Sequence, residues 1–359
     1  MSKIKIDFII GRMLSGGAER VVANLANYFA ENGHTVRIIT FSDAECYELN
    51  SNIERIRFHN NKILKKVLFR SLYYLFHFYK HKQNRPDVIS SHIGLMGLAT
   101  IPNARLFNIK IIISEHFNHI HQEINFFQKI LWNHFYKHID ALTILTKYDQ
   151  DFFETKTKKV VVMENPCSFD MHDDLDSPRE KVILAVGNLN RYTHKGFDNL
   201  LEIVATVLPK YPNWKLKLVG AGEEGLKLLS AKSQELGVSN QIIFTGFRSD
   251  IKKLMINSEI FLLTSRYEGL PMVLIEALSQ GLACISYDCV SGPSDILTNN
   301  LNGMLVNNQD KLEMSEKLEL LISDNELRKK YRSNSAQQLK KFTIDNVGKK
   351  WLKLINEII

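Results

Sequence analysis

The sequence has no long hydrophobic run and only four cysteines. No segment reaches the roughly 18 consecutive apolar residues that a membrane-spanning helix needs. The apolar run near the N-terminus is short and contains Asp7, which predicts a first core strand and not a signal sequence. The cysteines (Cys46, Cys167, Cys284 and Cys289) are scattered and form no zinc-binding pattern. We therefore expect a cytoplasmic protein with reduced thiols, either soluble or peripheral to a membrane.

Several catalytic signatures are also missing. The sequence contains no Gly-x-Ser-x-Gly, which argues against a serine hydrolase. It contains no Gly-x-Gly-x-x-Gly after the first strand, which argues against a dinucleotide-dependent oxidoreductase. The Asp-x-Asp sequence at 174–176 lies in a segment with linker composition, so we predict no metal site there.

Acidic residues are absent from residues 55–86, a stretch that carries nine Lys or Arg. Without these nine the chain would have 37 basic against 39 acidic residues, so the net charge of +7 comes from this stretch. Leucines and aromatic residues recur in it at helical spacing, which is typical of a helix on an anionic membrane surface. A core helix with a lysine-rich outer face is the alternative. We expect no nucleic-acid binding because no recognition module surrounds the stretch. The cations predicted to face lipid are Lys62, Lys65, Lys66 and Arg70, and the apolar side chains predicted to enter the interface are Leu68, Leu72 and Phe76.

Buried strands and amphipathic helices alternate along the whole chain, which predicts an α/β fold with parallel sheets. Strands are predicted at 5–10, 35–40, 87–91, 110–114 and 141–145, and again from 181 onward. We place a first Rossmann-like domain at residues 1–166 and a second at 167–342. Residues 343–359 carry an apolar stripe at spacings of three and four, which predicts a last helix.

Residues 265–276 place Glu268 and Glu276 eight positions apart, across a Gly-Leu-Pro turn that follows an apolar strand. A strand, a sharp turn and a helix leave backbone amides that can bind phosphate at the strand's carboxyl end. Glu268 is expected on the loop before the helix and Glu276 about two turns along it. One carboxylate could then accept sugar hydroxyls and the other a ribose. Two solvated charges at a helix end are the alternative interpretation.

This segment resembles the donor-site signature of the retaining glycosyltransferases of family 4, which have the GT-B fold. Six further stretches occur in the family's order, so the resemblance covers nearly the whole chain. They are residues 15–20, 114–116, 165–166, 187–196, 219–222 and 292–295. The fold implied is GT-B, with two doubly wound Rossmann-like domains facing across a cleft. The resemblance also implies that the helix at 343–359 crosses back to the first domain, and a helix that only caps the second domain is the alternative.

The resemblance also implies roles for individual residues. His116 would contact the transferred sugar, Lys195 the diphosphate, Glu268 the sugar and Glu276 the ribose, and Arg248 would present its backbone to the base. An Asn at 188 replaces the family's second cation, for which Arg191 is the candidate substitute. His116 as a structural residue and Arg191 as a solvated one remain alternatives. The other predicted donor residues are Gly16, Gly17, Gly269, Leu270, Pro271, Met272 and Val273, and the predicted acceptor residues are Glu19 and Arg20.

The predicted function is therefore transfer of a hexose, with retention and without a metal or other cofactor. The expected donor is a nucleotide sugar of the UDP-Gal, UDP-GalNAc or UDP-Glc type. The expected acceptor is a lipid-linked or cell-surface glycan at the inner face of the cytoplasmic membrane, as in capsule or lipopolysaccharide assembly. Two alternatives remain open, namely a GT-B sugar-nucleotide epimerase and a non-catalytic subunit that binds a glycan or a nucleotide sugar.

Overall fold

The computed structural model describes residues 3–14, 16–43, 45–59, 66–120 and 124–359. The chain divides into two compact units. The first contains Met1–Ser168 together with Phe342–Ile359, and the second contains Phe169–Lys341. No helix in the described ranges is both long enough and apolar enough to cross a membrane.

The first unit is built on a parallel sheet, with the order β3-β2-β1-β4-β5-β6-β7 in its described part. The strands are β1 Lys5–Ile9, β2 Thr35–Thr40, β3 Glu54–Arg57, β4 Val88–His92, β5 Lys110–Ser114, β6 Ala141–Ile144 and β7 Val160–Val162. The strand order reverses between β1 and β4, so the loops that follow these strands diverge to opposite faces of the sheet. Ligands of doubly wound sheets bind at such a point.

Helices cover both faces of this sheet. They are α1 Gly17–Glu31, α2 Val67–Tyr79, α3 Gly97–Leu106, α4 Phe126–Ile130, α5 Gln150–Glu154 and the last helix, α14 Ile344–Ile358. Helices α1 and α14 share one core with β1, while α2, α3 and α5 contribute to the core on the other face. A Cβ atom on Gly348 would lie 2.2 Å from the Tyr28 ring, so α14 packs directly on α1.

The second unit has its own parallel sheet, with the order β10-β9-β8-β11-β12-β13 among the described residues. The strands are β8 Glu180–Val186, β9 Lys215–Val219, β10 Ile242–Gly246, β11 Ser258–Leu263, β12 Ala283–Asp288 and β13 Met304–Asn307. The helices are α6 Tyr192–Lys195, α7 Phe197–Val207, α8 Glu223–Glu235, α9 Ile251–Asn257, α10 Met272–Ser279, α11 Pro293–Ile296, α12 Lys311–Ser323 and α13 Asn325–Leu339. Here the strand order reverses between β8 and β11.

The predicted fold class, two doubly wound α/β units with parallel sheets, is confirmed. Strand β3 was not predicted from the sequence. Its residues, Glu-Arg-Ile-Arg, contain no apolar run, and none of them is fully buried. An edge strand of this kind is specified by its pairing with β2 and not by its own pattern.

Candidate functional site

The loop between β11 and α10 carries the donor signature of the second unit. Helix α10 begins at Met272, so Glu276 lies about one turn along it, not two as the sequence spacing suggested. The amides of Leu274 and Ile275 donate to the carbonyl of Pro271. Among the described residues, the amides of Met272 and Val273 have no acceptor. The amide end of α10 can therefore donate to an anion.

Lys195 and Glu268 form an ion pair beside this helix end. The Lys195 Nζ atom donates to Glu268 Oε1 at 2.7 Å, and the two side chains are 18% and 11% exposed. Burial disfavours the charged form of Glu268, but its polar neighbours, Lys195 foremost, together outweigh burial and leave the pKa of Glu268 below its ordinary value. The loops that follow β8 and β11 thus bring together two residues that are 73 positions apart in the sequence.

Two glycines allow this close approach. Gly196 has φ +65°, and a Cβ atom on it would lie 1.9 Å from the backbone oxygen of Thr264 at the end of β11. Gly292 has φ +101°, and a Cβ atom there would lie 2.6 Å from the backbone oxygen of Gly269. Other residue types would strain the backbone at both positions and push these loops apart.

His194 supports the loop that carries Glu268. Its ring stacks on Tyr267 with ring centroids 4.1 Å apart, and its Nε2 atom lies 2.9 Å from the Tyr267 carbonyl oxygen. The guanidinium of Arg191 can only donate, so His194 accepts at Nδ1 and donates from Nε2. Burial and the neighbouring Lys195 lower the pKa of His194. A neutral imidazole, that of His194, therefore holds the exposed Arg191, which lies four residues before Lys195.

The remaining predicted donor residues lie around the same loop or at the edge of β10. Leu270, Pro271 and Glu276 are buried, and Gly269, Met272 and Val273 are partly exposed. Arg248 lies after β10, where its side chain is exposed and pairs with Asp250 at 2.7 Å. The role predicted for Arg248 concerns its backbone, which this side-chain pair does not involve.

In the first unit, the predicted glycine loop caps α1. Gly16 is the N-cap residue and Gly17 the first residue of the helix, while Ser15 lies outside the described residues. The buried Glu19 carboxylate folds back over Gly16, since a Cβ atom there would lie 2.1 Å from Glu19 Oε2. The Arg20 guanidinium lies 6.0 Å from the centroid of the Tyr47 ring. Both predicted acceptor residues therefore take part in the local packing of this helix end.

His116 follows β5 and contacts a second histidine that sequence reasoning missed. His116 Nε2 lies 2.9 Å from Nδ1 of His92, and His92 Nε2 lies 2.9 Å from the hydroxyl of Ser90. Burial lowers the pKa of His116 to about 4. Burial and the nearby His116 hold the pKa of His92 well below its ordinary value. His92 ends strand β4 beside the reversal of strand order, and that position was the signal that could have identified it.

Glu115, next to His116, is buried and takes part in hydrogen bonds within the first unit. Its Oε1 atom accepts hydrogen bonds from Trp132 Nε1 at 3.0 Å and from the Tyr136 hydroxyl. Burial raises the pKa of this carboxyl above its ordinary value, despite those hydrogen bonds. Glu115 thereby fixes the start of the loop that carries His116.

The basic stretch is described only in part, since Lys62 and Lys65 lie outside the described residues. Lys66 is exposed and precedes α2. Arg70 instead points inward and donates to the carbonyls of Phe41 and His59. The exposed apolar side chains of α2 are Val67, Phe69, Tyr73 and Phe76, and the spacing of Phe69, Tyr73 and Phe76 places these three on one face of the helix.

Two protein-family models match the chain. Residues 15–169 match Glycosyltransferase Family 4, and residues 169–338 match Glycosyl transferases group 1. A protein of Campylobacter jejuni subsp. jejuni serotype O:2 is 32% identical over 364 aligned residues, which cover 99% of each chain. It is named as a GalNAc-alpha-(1->4)-GalNAc-alpha-(1->3)-diNAcBac-PP-undecaprenol alpha-1,4-N-acetyl-D-galactosaminyltransferase.

Solved structures share the fold. The apo form of the lipopolysaccharide outer core galactosyltransferase WaaB superposes with a TM-score of 0.79 at 23% identity, covering 99% of this chain and 100% of that one. Anabaena HepE, solved in complex with UDP, gives a TM-score of 0.82 at 18% identity with the same coverage. The two matching family models and the full-length relative show that this chain belongs to the family 4 glycosyltransferases, which have the GT-B fold.

Proposed function

We propose that the chain transfers a hexose from a UDP sugar to a lipid-linked or cell-surface glycan, with retention of configuration and without a metal. The observation that carries the proposal is the ion pair between Lys195 and Glu268 beside the amide end of α10. A sugar diphosphate presents its anionic and hydroxyl groups next to each other. The ion pair places a cation, which suits the diphosphate, next to a carboxylate, which suits the sugar hydroxyls.

Lys195 would neutralise the diphosphate as it leaves. A cation placed where charge develops stabilises the transition state more than the ground state. The amides of Met272 and Val273 would add two oriented donors to the same oxygens. Arg191 would supply the second cation, which family members carry at the position that Asn188 occupies in this chain.

Glu268 would bind the hydroxyl groups of the transferred sugar. Its lowered pKa keeps the carboxylate charged and accepting at neutral pH. When a diphosphate competes for the Lys195 ammonium, Glu268 has oxygens available for sugar hydroxyls. Glu276, buried one turn along α10, would take the ribose, and His116 would contact the sugar by resemblance to the family.

The relatives favour particular substrates. The Campylobacter protein is named for transfer of N-acetylgalactosamine to an undecaprenol-linked saccharide, and HepE was solved with UDP. UDP-GalNAc is therefore the first donor to test, followed by UDP-Gal and UDP-Glc. An undecaprenol-linked oligosaccharide is the first acceptor class to test.

We further propose that α2 docks on an anionic membrane surface. Phe69, Tyr73 and Phe76 are between 40% and 55% exposed and lie on one face of the helix. The exposed Lys66 flanks this face. Aromatic side chains at the interface with nearby cations bind such surfaces by burial and by attraction to anionic lipid. Leu68 and Leu72, which the sequence placed toward lipid, are partly buried against the core instead.

Release of UDP from each donor, with and without a lipid-linked acceptor extract, tests the proposal. We expect acceptor-stimulated release with one donor and its loss in Glu268→Gln. Lys217→Ala is the matched control, because Lys217 is also 18% exposed and pairs with Glu180 at 2.6 Å in the same unit. Free epimerised UDP sugar without transfer would favour an epimerase. Binding without turnover of any donor would favour a non-catalytic subunit.

A further inference from the structure

Three side chains form a hydrogen-bonded series in the first unit. The Ser90 hydroxyl lies 2.9 Å from His92 Nε2, and His92 Nδ1 lies 2.9 Å from His116 Nε2. Ser90 and His92 are fully buried, and the two imidazole rings stack with centroids 5.2 Å apart. His116 Nδ1 is also buried, and within the described part of the chain it has no hydrogen-bond partner.

Each neutral imidazole carries one ring proton. The direction of the hydrogen bond between Ser90 and His92 therefore determines which nitrogen of each histidine is protonated. If the Ser90 hydroxyl donates to His92 Nε2, then His92 carries its proton on Nδ1 and donates to His116 Nε2. His116 must then carry its proton on Nδ1. In the reverse arrangement His116 donates to His92, His92 donates to Ser90, and His116 Nδ1 has no proton.

The two arrangements differ in how many buried groups they leave without a partner. The first leaves one, the N–H at His116 Nδ1. The second leaves two, the hydroxyl hydrogen of Ser90 and the lone pair of His116 Nδ1, because His92 is the partner of the Ser90 hydroxyl among the described residues. Each unpaired buried polar group costs free energy. The first arrangement is therefore the more stable one.

We propose that His92 is a positioning residue that, together with Ser90, holds His116 in the Nδ1–H tautomer. His116 then acts as a hydrogen-bond donor to an oxygen of the bound substrate and not as a base. The role in turnover rests on the proposed glycosyl transfer, whereas the tautomer is a property of the free protein. The surroundings hold the His92 ring in place, since it stacks on Trp351 with centroids 6.0 Å apart and packs on Phe8 at 5.8 Å.

The tautomer can be measured directly by nitrogen NMR of protein labelled with ¹⁵N-histidine. The signals of His116 are assigned by their loss in His116→Gln. We expect Nδ1 to be protonated and Nε2 unprotonated in the wild type at neutral pH. An Nε2–H tautomer in the wild type would overturn the proposal, whatever the activity of the enzyme.

Ser90→Ala and Ser91→Ala form a matched pair. Both serines are fully buried on β4, but their side chains alternate between the two faces of the sheet, and Ser91 accepts from Thr100 at 3.0 Å. We expect Ser90→Ala to reduce the Nδ1–H population of His116 and Ser91→Ala to leave it unchanged. The same tautomer in both variants would contradict a role for Ser90.

Substitutions of His92 separate positioning from packing. His92→Phe keeps a ring between Phe8 and Trp351 but cannot donate, and we expect turnover to fall about tenfold. His92→Asn leaves a cavity, yet its amide can donate where Nδ1 did, so it should be less stable and more active than His92→Phe. If activity instead followed stability across the two variants, His92 would be a packing residue only.

A failure of this proposal can be distinguished from a failure of the proposed function. The wrong tautomer in a protein that transfers hexose would reject the proposal alone. The expected tautomer in a protein that releases no UDP from any donor would reject the function alone.

Discussion

Breaking the ion pair in the second unit should affect turnover and stability in different ways. The variants are Lys195→Ala, Glu268→Gln and the double variant. Each single change removes a contact that strengthens as the leaving group departs, so we expect turnover to fall about 100-fold or more. The double variant should be at least as inactive as either single variant.

Stability should follow a different order. Lys195→Ala leaves the 11% exposed carboxylate of Glu268 without its cation, which we expect to cost about 2 kcal/mol in the free energy of unfolding. This value lies below the cost for a fully buried pair because both side chains retain some contact with water. The double variant removes both charges and should recover most of the loss.

The stability difference should also depend on pH. Burial disfavours the charged form of Glu268, yet Lys195 holds the pKa of the carboxyl below its ordinary value of 4.5. The contribution of the pair is therefore complete above that ordinary value and is lost as the pH falls through the lower folded value. Unfolding curves of the wild type and Lys195→Ala should converge in acid.

Urea unfolding at several pH values and UDP release provide the two measurements. Lys217→Ala is the control, because its partner Glu180 is 55% exposed and the pair should contribute about 1 kcal/mol or less. Two results would refute the reasoning. One is turnover like that of the wild type in Lys195→Ala, and the other is a double variant no more stable than Lys195→Ala.

Three further predictions concern the donor, metal and membrane proposals. Glu276→Ala should weaken UDP binding, measured by titration calorimetry, and should change turnover at saturating donor much less, since a ribose contact is similar in the ground and transition states. Undiminished affinity for UDP would exclude the ribose role. Activity should survive excess EDTA, and its loss with rescue by manganese would reject metal independence. The double variant Phe69→Ser with Tyr73→Ser should co-sediment less with phosphatidylglycerol vesicles than the wild type, whereas Lys227→Glu in α8 should not. Equal binding by the wild type, the double variant and Lys227→Glu would exclude α2 as the docking face.

Much of the fold follows from local sequence patterns. The apolar runs that became β1, β2, β5 and β11 are recognisable because strands of a parallel sheet are buried on both faces. The turn at Gly269 and Pro271 likewise marks the start of α10. Strand β3 could not be recognised in this way, because pairing with β2 creates it and its residues stay partly exposed.

The candidate site was predictable as a set of residues but not as an arrangement. The sequence indicated Lys195, Glu268 and His116 separately, through motifs that each span a few positions. It gave no sign that Lys195 pairs with Glu268 or that Arg70 donates to the carbonyls of Phe41 and His59.

Local patterns were sufficient to place most strands and helices, although not β3, since such elements depend on neighbours within a few residues. Contacts between distant groups depend instead on how the strands pair. His92 and His116 are 24 positions apart, and parallel pairing of β4 with β5 brings the ends of their strands together. Pairing of strands and burial of side chains are properties of the whole sheet, so the contact between two histidines exists only once the sheet has formed.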